Sequence, residues 1–184
     1  MFKRTITVVA LGLCWLGHAW AESPLDKAHM GPVIESFGPV LDVPNASFEL
    51  KKGVHYKAIM DLSEIPETDG ELNSGLVSVA RYLNMNVGSG IKAEDLEFAV
   101  VVHGKAVQDM LSDEASNKHF ERPNANTALL KELKEAGVKV YVCGQSAAFR
   151  GFTLEEMNPI VSMAISAMSA HVRLQSEGYS LIPF

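Results

Sequence analysis

The run Phe98-Ala-Val-Val-Val102 limits what this chain can fold into more than any other stretch. Five apolar residues in a row fit a strand covered on both faces, and strands of that kind belong to parallel sheets sandwiched between helices. The flanking sequence agrees. "VHYKAIMDL", residues 54–62, reads as an earlier strand, and Leu72, Leu76, Val79, Ala80, Leu83 and Val87 then recur at helical spacing up to Gly88. After the run come a short helical piece through Leu111 and a polar loop from Ser112 to Pro123. Asn124 or Asn126 caps the next helix, whose buried stripe is Leu129, Leu130, Leu133 and Ala136, with Gly137 as its left-handed stop.

"VKVYV", residues 138–142, is a third strand. A helical stretch follows from Gln145 to about Met157 with a break at Gly151, then a strand near Ile160 to Ala164, a helix from Ser166 to Glu177, and a last strand "YSLIP". This alternation predicts an α/β fold: a mainly parallel five-stranded sheet with right-handed crossovers and helices on both faces. One strand is a misfit, because Lys139 and Tyr141 alternate with valines, which predicts a sheet face incompletely covered at that point.

The chain opens with Lys3 and Arg4, an apolar run to about Leu16, and Ala19-Trp20-Ala21. That is the pattern of a secretory signal peptide over residues 1–21, cleaved near Ala21 to release a periplasmic or secreted product without stable membrane insertion. Residues 22–53 read as an extended arm, with the echo Gly31-Pro-Val-Ile and Gly38-Pro-Val-Leu and with Phe37, Val40 and Leu41 as anchors. Residues 54–184 form the domain. Without Lys3 and Arg4 the 16 basic side chains fall to 14 against 22 acidic ones, a surface that repels nucleic acid.

Cleavage also removes Cys14, so Cys143 stands alone. An odd cysteine in an exported chain is a reactive thiol, an intermolecular bridge or a buried inert side chain. Its position favours reactivity. In parallel sheets chemistry gathers beyond the carboxyl ends of strands, where loops enter helix N-termini, and Cys143 ends one such strand. Gly144 permits a sharp turn, and the following helix aims free N–H groups at the sulfur, which favours the thiolate. Gln145 and Ser146 lie in the first turn, where they fit either an anion pocket or, for Ser146, ordinary helix capping. Arg150 lies two turns on, suited to a docking surface or to a solvated face. "VVVHG" ends the preceding strand, so His103 and Gly104 leave the same sheet edge, and His103 is a candidate proton partner for the thiol. No Asp or Asn stands out to orient it.

Other chemistries find less support. His29, His55, His103, His119 and His171 show no ligand spacing, so no metal site is expected, and Met157, Met163 and Met168 read as core filler. Asp109, Asp113 and Glu114 form no spaced carboxylate pair. No cofactor motif is present, since the glycines at 88 and 90 follow a helix rather than a strand.

"EAGVKVYVCGQSAAFRGF" resembles the strand, cysteine and helix of the DsrE/DsrF-like family. "LVSVARYLNMN", "FAVVVHG" and "SAMSAHVRLQSEGYSLIPF" are similar to a secreted branch of that family, and the likeness runs over residues 54–184. The resemblance implies a three-layer α/β/α subunit with a five-stranded parallel sheet, built into small homo- or hetero-oligomers. It also implies that Cys143 takes up a sulfur atom as a persulfide and passes it to a partner protein. The rival expectation is a non-catalytic oligomeric binding module whose cysteine is packed at the sheet edge.

Overall fold

A computed structural model describes residues 23–183, so the expected signal peptide lies outside the described residues. Five strands, β1 (Tyr56–Leu62), β2 (Leu96–Val102), β3 (Lys139–Cys143), β4 (Val161–Ala164) and β5 (Ser180–Ile182), form one sheet of order β4-β3-β2-β1-β5. Every pairing is parallel, so the α/β expectation holds. β2 is central, and Phe98 to Val102 are almost wholly buried, as the unbroken apolar run requires.

The alternation of side chains divides the core in two. Ala58, Met60, Phe98, Val100, Val140 and Val142 point to one face, where α1 (Ser74–Gly88) and α3 (Thr127–Glu135) bury Leu76, Val79, Leu83, Leu129, Leu130 and Leu133. Ile59, Ala99 and Val101 point to the other face, against Ala170 and Leu174 of α5 (Ala167–Ser176). That second face is thinly covered. Lys139 is exposed and Tyr141 half-buried, and Tyr141 borders a recess of 440 Å³ between β4 and α5. The misfit in the third strand therefore marks an open part of the sheet. At the lower end of this face the Glu97 carboxylate accepts hydrogen bonds from Lys139 and Tyr179, which hold its pKa down to about 2.

Two expectations need correction here. The polar loop at 112–123 contains a helix, α2 (Asp113–Phe120), in which only Ala115 and Ser116 are buried. Ser112 caps it by accepting from the Ala115 amide, Asp113 and Glu114 lie in its first turn, and Lys118 and His119 lie in its last. The end charges suit the helix dipole without any apolar stripe. Asn126 does hold the N-cap position of α3, yet its side chain makes no cap bond and instead accepts from the Asn73 amide at 2.8 Å.

The arm packs against α1. His29 and Val40 form an antiparallel bridge, and Ile34 is fully buried. Leu41, expected as an anchor, is 43% exposed, and Ile34 takes that role. Met168, expected in the core, is 78% exposed on α5, whereas Met157 is buried. Among the described residues no helix is long and apolar enough to cross a membrane.

Candidate functional site

Register brings the two marked residues together. Val102 pairs with Val142, so His103 and Cys143 follow as neighbours at the carboxyl edge. Each lies two residues beyond a side chain of the α5 face, Val101 for His103 and Tyr141 for Cys143, so both belong to that face. The backbone behind them is tied. The Gly104 amide donates to Ser146 Oγ at 3.1 Å, and Arg150 Nε donates to the Gly104 carbonyl at 2.9 Å. Arg150 and Gly104 therefore join the turns after β2 and β3.

Cys143 is the N-cap residue of α4 (Gly144–Arg150), and its Sγ accepts from the Ser146 amide at 3.4 Å. Capping falls to the cysteine, and Ser146 lies inside the helix. The Ala167 amide at the head of α5 and the Gln145 amide also favour the thiolate, although among the described residues only the Ser146 amide donates a hydrogen bond to the sulfur. The approach depends on Gly144, where a Cβ would lie 2.8 Å from the Ala164 carbonyl oxygen. Burial pushes the thiol pKa up, but the Ser146 side chain and the three amides outweigh it and hold Cys143 below the ordinary thiol range. Only 6% of Cys143 is exposed. A Ser146→Ala variant is expected to shift the midpoint of the iodoacetamide alkylation profile of Cys143 to higher pH and slow the reaction several-fold at neutral pH, as followed by mass spectrometry. An unchanged profile would show that the hydroxyl does not act on the sulfur.

The sequence reading missed Asp61. His103 Nε2 donates to Asp61 Oδ2 at 2.9 Å, and His171 Nε2 of α5 donates to Asp61 Oδ1 at 2.6 Å. Partial burial raises the carboxyl pKa, yet the bonds from His103 and His171 outweigh it and keep Asp61 below the usual carboxylate range. The one signal in the sequence was a carboxylate inside the apolar strand "KAIMDL". Its partners lie 42 and 110 residues away, beyond the reach of local spacing. No hydrogen bond joins His103 to Cys143 among the described residues. Gln145 is exposed and open to solvent at the same turn.

Asp109 and Asp113 are held in loop-bracing bonds, Asp113 Oδ1 accepting from the Asn124 amide and the Thr127 hydroxyl. Asp109 accepts from Asn73 Nδ2 at 2.7 Å, and Asn124 Nδ2 donates to the Asp109 and Leu111 carbonyls at 2.8 and 2.7 Å. Burial raises the Asp109 pKa despite that Asn73 bond. These bonds lock the loop after β1 to the segment after β2 and to the start of α3. Among the described residues no three His, Cys, Asp or Glu side chains are arranged to hold a metal ion.

The model of the DsrE/DsrF-like family matches residues 57–184. The chain belongs to the DsrE/DsrF-like family. Among solved structures it is similar to a protein of unknown function from Methanobacterium thermoautotrophicum, at 18% identity and a TM-score of 0.52. That match covers 69% of this chain and 97% of the other, and it shows the shared fold. No curated protein matches the sequence.

Proposed function

We propose that this DsrE-like protein is exported and handles sulfur through Cys143, either as a persulfide carrier or in thiol-based sulfur transfer. The observation that carries this reading is the Cys143 thiol set as the N-cap of α4, its sulfur accepting from the Ser146 amide while the Ala167 and Gln145 amides help to hold its pKa down. Such donors stabilise a thiolate before reaction and a persulfide anion after it. With thiosulfate as donor, the thiolate attacks the outer sulfur and a new S–S bond forms at Cys143. The bond to the sulfonate breaks, and sulfite leaves with its electron pair. The product is a persulfide that a second thiolate can attack in turn. Near-complete burial shields the group from over-oxidation in an oxidising compartment.

Mass spectrometry after incubation with thiosulfate or polysulfide tests this. The expected result is a gain of one sulfur atom at Cys143, absent in Cys143→Ser and reversed by dithiothreitol. No gain under conditions that load a known carrier removes the proposal. The 6% exposure of Cys143 favours a second reading, a binding module with a silent thiol. It predicts alkylation only after denaturation. In either case we propose a homo-oligomer that covers the exposed Ile165, Met168 and Val172, next to the β4 edge.

A further inference from the structure

The Asp61 carboxylate is shared by two imidazoles, and one of them has an unexplained atom. Among the described residues, His171 Nδ1 is buried without a hydrogen-bond partner. An ionised Asp61 offers acceptors only, so both Nε2 atoms must carry the proton, and the lone pair of each ring falls on Nδ1. For His171 that lone pair is enclosed. The His103 ring, by contrast, stays one-third exposed. Three elements build this arrangement: β1 supplies Asp61, the end of β2 supplies His103, and α5 supplies His171. The same α5 begins at Ala167, whose amide helps to lower the Cys143 pKa, so one helix borders both halves of the site.

We propose that Asp61, braced by His171, is the positioning residue of the cysteine site, holding His103 with Nε2 protonated so that Nδ1 takes the Cys143 proton. This rests on the sulfur-handling reading above. The thiol proton passes to His103 Nδ1, directly or through one water, and Asp61 stabilises the imidazolium. After the thiolate has displaced sulfite from thiosulfate, the persulfide remains as the anion and the imidazolium gives its proton to the departing sulfite. His103 ends neutral. The His103 imidazole is bonded to Asp61 of β1 and, through Asp61, linked to His171 of α5, and Cys143 stands at the neighbouring strand end of β3. Arg150 of α4 donates its Nε–H to the Gly104 carbonyl.

The test uses the full mature chain. In its ¹⁵N spectrum at neutral pH, both His103 and His171 are expected as Nε2–H tautomers. Asp61→Asn supplies one acceptor in place of two, so at least one ring is expected to change tautomer. Alkylation of Cys143 by iodoacetamide should slow about tenfold or more near neutral pH in both Asp61→Asn and His103→Gln, and its pH profile should move in the same direction in each. An Nδ1–H tautomer for His103 in the unmodified protein overturns the proposal, and that measurement requires no variant. It is also overturned if Asp61→Asn lowers Tm while leaving the alkylation profile unchanged, which is the mark of a purely structural carboxylate. Persulfide loading is scored separately. If Cys143 loads sulfur normally in both variants, the positioning role falls and sulfur handling stands. A failure of the unmodified protein to load sulfur removes the functional reading itself.

Discussion

Asn84→Leu is expected to lower stability by about 3–4 kcal/mol, or about 10 °C in Tm, and to release the arm. Asn84 is fully buried on α1, and each of its polar atoms is spent on the arm. Its Oδ1 accepts from the Val33 and Ile34 amides at 3.1 and 2.9 Å, and its Nδ2 donates to the carbonyls of Ile34, Phe37 and Gly38 at 3.0 to 3.2 Å. Leucine has a similar volume, so the cost comes from stranded backbone groups rather than from a cavity. Because all five bonds go to residues 33–38, the loss should be local first. Limited proteolysis should cut the arm while 56–182 stays intact, and calorimetry should report the total change. Gly38→Ala should mimic it, since Gly38 has a φ of +68° and a Cβ there would lie 2.5 Å from the Arg81 amide nitrogen. An arm that resists protease in both variants, with a change below about 1 kcal/mol, would mean that Ile34 and Phe37 hold it by apolar contact alone.

Asn84 also shows what the sequence could and could not reveal. The strands were legible because each carries its own pattern: an unbroken run for β2, a short apolar stretch Ala58-Ile59-Met60 within β1, and polar–apolar alternation for β3 where one face is open. Cys143 was legible because a strand end followed by glycine is a local signal. Asn84 is one of several polar residues in α1, with Ser78, Arg81 and Asn86 nearby, and nothing in the helix states that its partners lie about 50 residues upstream. Asp61 was hidden for the same reason. Helix α2 escaped on different grounds: with only Ala115 and Ser116 buried, it has no stripe to count, and its evidence was the capping serine with acids at one end and bases at the other. Periodicity reads burial, whereas buried polar pairs depend on which strands and helices the topology later brings together.

Gly144→Ala is the change that best separates geometry from mere presence of the thiol. Its Cβ would lie 2.8 Å from the Ala164 carbonyl oxygen and 3.5 Å from that of Ile165, so the turns after β3 and β4 must part. Both are backbone atoms, which cannot swing aside as a flexible side chain does. Forcing them apart is expected to cost about 1–3 kcal/mol, as overpacking generally does. The chemical consequence reaches further than the stability loss, because Ala167, whose amide helps to lower the Cys143 pKa, lies just beyond the β4 turn that must move. With that amide moved away, burial, which already pushes the thiol upward, gains weight against the Ser146 bonds and the Gln145 amide. The alkylation midpoint of Cys143 should therefore move to higher pH, with several-fold slower reaction at neutral pH, although Cys143, His103 and Asp61 are all still present. Sulfur loading from thiosulfate should fall in parallel, since attack on the outer sulfur uses the same thiolate. If the variant loses stability but its thiol titrates and loads as before, the α5 amide is a bystander, and activation of Cys143 belongs to α4 alone.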